Sequence, residues 1–82
     1  MTRDDISLKV FNILSKQLSV PVNEITEHAL IGADLGADSL DTAEIAMMVK
    51  DDFNYDLKDD EVSSIKTVKD VIEVLYSNLV RT

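Results

Sequence analysis

The stretch Asp34-Leu35-Gly36-Ala37-Asp38-Ser39-Leu40-Asp41 places one serine hydroxyl where a Gly-containing loop gives way to an acidic, amphipathic helix. A hydroxyl there is exposed and has helix-terminal amides around it. A phosphate ester on it would be favoured by the helix dipole. A nucleophilic serine, in contrast, needs a base and an oxyanion hole. The sole histidine, His28, lies in the first loop with no evident orienting partner, which suits a solvated loop residue. The residues point to an attachment point rather than an active site. Ser and Asp are also good helix N-caps, so Asp38 or Ser39 could do no more than cap the helix. The neighbours argue for more. Gly36 and Ala37 leave the approach open, Asp38 and Asp41 flank the hydroxyl with charge, and Leu40 offers an apolar contact.

The elements that must hold Ser39 follow from periodicity. Thr2 and Asp5 have the spacing of a capping box and open a helix over 3–18. Ile6, Val10, Ile13, Leu14 and Leu18 form its apolar stripe, with Phe11 beside it. Ser19-Val20-Pro21 ends it, because a residue before proline avoids the α region. Residues 19–38 make a long connection with scattered apolar residues, Val20, Ile25, Ala29, Leu30, Ile31 and Leu35. The spacing predicts a loop packed onto the bundle, with one helical turn near Asn23–Ile25.

A second helix is predicted over Ser39–Phe53. Ile45, Val49 and Phe53 share its inward side with Ala46 and Thr42, while Asp41, Glu44, Asp51 and Asp52 share the opposite side. Leu40 and Met47 border the acidic face, Ala43 lies further round, and Met48 falls within that face. Apolar residues rimmed by carboxylates are what a protein-docking surface offers. After Asn54, Tyr55 and Leu57 a short helix is expected near Asp59–Ser64. A last helix is expected from Thr67, with Val68, Val71, Ile72, Leu75 and Leu79 on its apolar face. The fold class is all-α: a four-helix bundle of three longer helices and one short third helix, with a long first loop.

Composition narrows the functions. A chain of 82 residues is one domain, 1–82, with a modest core. Hydrophobic residues make up 45% and aromatics only 5%, which suits a small aliphatic helical core. Two glycines and one proline leave too little turn chemistry for an all-β fold. Without cysteine there is neither a disulfide framework nor a thiolate zinc site. No stretch approaches the roughly 18 apolar residues of a membrane span, and no secretory signal opens the chain. A cytoplasmic or organelle-matrix location is expected. The net charge is −8, and residues 34–61 hold ten carboxylates against Lys50 and Lys58. That patch repels nucleic acid and attracts basic protein surfaces or divalent cations.

The eight-residue string resembles the attachment motif of acyl carrier proteins, whose Asp-Ser-Leu serine bears 4′-phosphopantetheine. The likeness covers nearly the whole chain: the apolar spacing of helix one, the Val-Pro break, the long loop, the acidic second helix, the short third and the Thr-capped fourth. The resemblance implies that Ser39 is the modified serine. It implies that Asp38, Asp41, Glu44 and Asp51, with Asp59 and Asp60 on the third helix, meet basic residues of partner enzymes. Leu40, Ala43 and Met47 match the small apolar contacts between these charges. It further implies an acyl chain lying between helices two, three and four, against Ile45, Ala46, Val49, Leu57, Val62, Ile65 and Val71, all of which are also ordinary core candidates.

A non-enzymatic carrier of acyl thioesters in fatty acid biosynthesis is the expected function. A phosphopantetheinyl transferase would load it, and fatty-acid synthase enzymes and acyltransferases with basic docking surfaces would use it. A monomer is expected, and the start at Met1 favours a dissociated system. The alternatives are a carrier for a polyketide or other specialised pathway, or an unmodified acidic helical adaptor. Lys50, Lys58 and Ala43 depart from the bacterial pattern, where acidic, proline and β-branched residues are usual, and bear on partner preference. Two other motifs lead nowhere. Ala37-Asp38-Ser39-Leu40 is similar to a Gly-Asp-Ser-Leu hydrolase motif, but the chain cannot build the required sheet. Asp52-x-Asn54-x-Asp56 starts like a calcium loop, yet Leu57 and Ser63 stand where Gly and Glu belong. No metal site is expected beyond loose divalent binding to the acidic face.

Overall fold

Carboxylates open every helix of the chain. In the computed structural model, which describes residues 1–81, the helices are α1 (Arg3–Leu18), α2 (Ser39–Phe53), α3 (Asp59–Ser64) and α4 (Val68–Leu79). Asp5 closes a capping box on Thr2 at the start of α1, Asp41 on Asp38 at α2, and Asp70 on Thr67 at α4. At α3 the Glu61 carboxylate accepts from the Lys58 amide at 2.9 Å. Thr67 is therefore the cap of the last helix, and the helix proper begins one residue later than the sequence predicts. Helix ends are equally local. Ser19 and Asn54 take the left-handed conformation, φ 56° and 54°, and end α1 and α2.

The core is aliphatic. Ile6, Val10, Ile13 and Leu14 of α1 meet Ile45, Val49 and Phe53 of α2 and Val68, Val71, Ile72 and Leu75 of α4. Each such side chain contributes about 1.5–3 kcal/mol on burial. α1 packs along both α2 and α4. Leu18 and Phe11 are only half-buried against this core, and Leu79 is exposed rather than part of the α4 seam. Met48 also departs from expectation. It packs against the core from α2 instead of joining the acidic face, because the inward arc of this helix is wide enough to reach it.

The long first loop is held by backbone pairing as well as by apolar contact. A short 3₁₀ turn forms at Val22–Glu24, one residue earlier than predicted. Ile25 and Ile31 bury themselves, whereas Leu30 stays exposed. Leu30 and Thr67 form an isolated antiparallel bridge; the described residues contain no longer strand. Ile31 donates to the Lys66 carbonyl at 3.0 Å, and Val68 and Lys69 donate to Ala29 and Glu27 at 3.1 and 2.9 Å. Arg3 adds a two-pronged ion pair to Glu27, at 2.8 and 3.1 Å, and lies 3.7 Å from Glu73. These contacts join the start of α1, the loop and the start of α4. The Arg3 guanidinium holds the Glu27 carboxyl below its usual range.

Candidate functional site

Asp38, not Ser39, caps α2. Its carboxylate accepts from the Asp41 amide at 2.9 Å, and its own amide donates to the Asp41 carboxylate at 3.1 Å. Ser39 is the first helical residue and is exposed. Capping therefore makes no demand on its hydroxyl. The Asp41 and Thr42 amides are spent on Asp38, while those of Ser39 and Leu40 lie in the turn where helical amides have no intrahelical acceptor. A phosphodiester on Ser39 would sit at the positive end of α2 with these donors beside it.

The loop before Ser39 is folded on itself. The Asp34 carboxylate accepts from the Leu30 amide at 2.8 Å, and Gly36 and Ala37 donate to Gly32 and Ile31 at 2.9 and 3.1 Å. Gly36 has φ 81°, and a Cβ on it would meet nothing within 4 Å. Its backbone conformation, rather than crowding at the approach to Ser39, calls for glycine. Ala37 does not keep the approach open either: it is half-buried and lines a partly open cavity.

Around Ser39 the expected surface residues separate into two groups. Asp38, Leu40, Ala43, Glu44, Met47, Asp51, Asp59 and Asp60 are exposed; Leu40 and Met47 leave 74% and 67% of their surface in solvent. Leu40, Glu44, Met47 and Asp51 follow one another along one side of α2 at helical spacing. Asp41 differs. One of its oxygens accepts from Asp38 and the other from Gln17 Nε2 at 3.1 Å, so it ties α2 to α1. The Asp38 amide, then Gln17, hold its carboxyl below the usual range. Lys50 extends to Asp56 at 3.3 Å, directing its positive charge toward the end of α2.

An open groove starts at Ser39 and is lined by Thr42, Ala43 and Ala46 of α2, Leu57, and Asp59, Val62 and Ser63 of α3. It adjoins a cavity of about 330 Å³. Ile45, Ala46, Leu57, Val62, Ile65 and Val71, six of the seven expected lining residues, meet there. Val49 is fully buried and lines neither space. Sequence reasoning missed the contribution of the first loop, Leu30, Ile31, Gly32, Ala33 and Ala37, and that of Thr42 and Lys66. The loop residues carry no periodic signal. Thr42 did fall on the inward side of α2, and that was the available clue.

The wall formed by α3 has no fully buried residue. Glu61 holds it in place. Its carboxylate accepts from the Tyr55 hydroxyl at 2.9 Å, the Lys58 amide at 2.9 Å and Asn78 Nδ2 at 3.2 Å, which joins α3 to α4. These donors, the Lys58 amide foremost, depress the Glu61 carboxyl, while burial and then Glu61 raise the Tyr55 phenol and keep it a donor. His28 is exposed in the first loop. Among the described residues, no cluster of three or more His, Cys, Asp or Glu side chains could hold a metal ion. None of the described helices is long and apolar enough to cross a membrane.

Residues 9–75 match the family described as phosphopantetheine attachment site. The chain is similar to proteins named acyl carrier protein from two strains of Porphyromonas gingivalis, each 40% identical over 75 residues, 92% of this chain and 96% of the relative. It is likewise similar to one from Coprothermobacter proteolyticus, 38% identical over 79 residues and 96% of both chains. The free serine at the head of α2 and the groove leading from it are what such a role requires, and the chain belongs to the phosphopantetheine attachment site family.

Proposed function

We propose that Ser39 bears the 4′-phosphopantetheine and that this chain carries acyl intermediates of fatty acid synthesis as a single carrier domain. The family is one of covalent phosphopantetheine attachment, and its acyl carrier members carry substrates rather than catalyse reactions. The observation that carries the assignment to Ser39 is the division of labour at the head of α2: Asp38 caps, and the neighbouring hydroxyl stays exposed. When bound, the group supplies the thiol that this cysteine-free chain lacks. The residues of α2 and α3 have the remaining tasks. The Ser39 and Leu40 amides would hold the linkage, Ala43, Asp59 and Ser63 would border the arm, and Leu57, Val62, Ile65 and Val71 would shield an apolar chain from water.

Synthase enzymes and a phosphopantetheinyl transferase are the partners that the family implies. Our reading is that they dock through basic patches on the exposed side of α2, where Leu40, Glu44, Met47 and Asp51 alternate apolar and acidic contacts. Asp38, Asp59 and Asp60 extend the charge. Such contacts favour fast, salt-sensitive association over tight binding, which suits a carrier that visits many enzymes. The bacterial origin of the relatives supports a cytoplasmic setting. The intact mass of protein purified from its own source tests the proposal. Masses corresponding to one phosphopantetheine, bare or acylated, are expected. An unmodified chain from cells actively making fatty acids would favour a plain acidic adaptor.

A further inference from the structure

The first turn of α2 carries Ser39 but buries none of its own side chains. Ser39 and Leu40 are exposed, Asp41 and Thr42 are half-buried, and the first buried residue of the helix is Ile45. The loop fixes the chain as far as Ala37, whose amide donates to the Ile31 carbonyl at 3.1 Å. The other end of α2 is anchored by buried Phe53, with Lys9 of α1 5.7 Å from its ring centre. At the head, the link to α1 is Gln17, half-buried in the last turn of that helix. Its Nε2 donates to one Asp41 oxygen at 3.1 Å, and the Asp38 amide donates to the other, also at 3.1 Å. A carboxylate only accepts, so it is the amide nitrogen of Gln17 that faces Asp41. Among the described residues this is the one side-chain hydrogen bond between α1 and α2. Ser39 lies between the two residues, Asp38 and Asp41, that this chain of bonds ties to α1.

We infer that Gln17 is a positioning residue for loading: by holding Asp41, and through it Asp38, it fixes where the Ser39 hydroxyl stands when a transferase engages it. The role rests on the carrier reading above. In loading, a bond forms from Ser39 Oγ to the phosphorus of CoA that bears the pantetheine arm. The bond from that phosphorus to the pyrophosphate bridging oxygen breaks, adenosine bisphosphate leaves, and the hydroxyl proton passes to a base of the transferase. The hydroxyl must stand in line with the departing oxygen, and misplacement by about 1 Å costs up to about a hundredfold in rate. Asp41 then acts through geometry, not as a charge offered to the partner.

The test follows single-turnover loading from CoA and Mg²⁺ at rising concentrations of a phosphopantetheinyl transferase, which separates the maximal rate from half-saturation. Gln17→Met keeps the length without the donor. Gln17→Glu sets two carboxylates against each other. Gln17→Glu combined with Asp41→Asn exchanges donor and acceptor: the new amide at 41 donates to the new carboxylate at 17 and still accepts from Asp38. Asn12→Glu adds a carboxylate at an exposed position of α1. Circular dichroism melting checks that each protein is folded. The maximal rate should fall between roughly tenfold and a hundredfold in both single variants at 17, with half-saturation little changed. The exchanged pair should recover most of the loss, and Asn12→Glu should match the wild type. NMR order parameters of the amides at 39–42 should fall and return in the same pattern. An added negative charge speeds approach to a basic transferase, so a slower Gln17→Glu cannot come from steering. Wild-type maximal rates in both single variants would overturn the role. So would an exchanged pair that folds but stays slow, or losses confined to half-saturation and erased by salt, which would return Asp41 to docking. A wild type that does not load would overturn the carrier reading, and this role with it.

Discussion

At the scale of single residues, the contrast between Asp41 and Glu44 is instructive. Both are carboxylates of α2 that the sequence puts on the acidic side. Asp41 is already committed to the Asp38 amide and to Gln17, whereas Glu44 is exposed beside Met47. Glu44 is thus the better probe of docking. Glu44→Lys should slow association with a basic partner enzyme, measured by stopped flow at low ionic strength. Exposed ion pairs contribute about 0–1 kcal/mol, so the effect should be roughly fivefold or less and should fade with added salt. Partner kinetics unchanged at low salt would remove Glu44 from the interface. Ser39 itself was legible because its motif, Asp34 to Asp41, is local. What the sequence could not say was which of Asp38 and Ser39 caps the helix, since both have the chemistry for it. The side-chain hydrogen bonds of Asp38 settle that point.

At the scale of elements, the helices begin where Thr2, Asp38, Lys58 and Thr67 place them, and all four starts depend on an ionised carboxylate. Asp5, Asp41, Glu61 and Asp70 are each held below the ordinary range, chiefly by the backbone amide they accept from. A depressed folded-state pKa adds stability that is fully present above the unfolded value, about 3.9–4.3, and is lost as pH falls through the folded value. Urea midpoints should therefore drop steeply below about pH 4, with all helix signal lost together. A midpoint that stays level down to pH 3 would contradict the capping account.

Glu61 has a second duty, because α3 has little apolar burial to hold it. Glu61→Gln keeps the shape but removes the charge that Tyr55, Lys58 and Asn78 share. It should cost about 1 kcal/mol, below the range for buried charged hydrogen bonds since the cluster is half exposed. Hydrogen exchange should accelerate in 59–64 more than in α1. Uniform acceleration would mean that Glu61 supports the whole fold and not α3 in particular. The positions of α1, α2 and α4 were readable from Ile6–Leu14, Ile45–Phe53 and Val68–Leu75, whose spacing repeats. The path of residues 19–38 was not, because its pairing with Lys66, Val68 and Lys69 runs through backbone groups that leave no trace in side-chain pattern.

For the whole molecule, charge opposes compactness. Ten carboxylates and two lysines in residues 34–61 carry the entire net charge of −8. Self-repulsion should lower stability at neutral pH in dilute buffer. Salt should raise the melting temperature, and Mg²⁺ or Ca²⁺ should raise it further by mass action, gradually and without preference. A saturating, stoichiometric response to calcium alone would demand a defined site, which the acidic clusters of the described residues do not form.

The central claim is that Ser39 is the attachment point, and mass spectrometry after loading tests it most directly. Wild type and Ser39→Ala, both checked for helical content by circular dichroism, are incubated with CoA, Mg²⁺ and a phosphopantetheinyl transferase. Wild type should gain one phosphopantetheine, mapped by peptide analysis to Ser39, and folded Ser39→Ala should gain none. Modification of Ser39→Ala, or of wild type at Ser15, Ser63 or Ser64, would contradict the account.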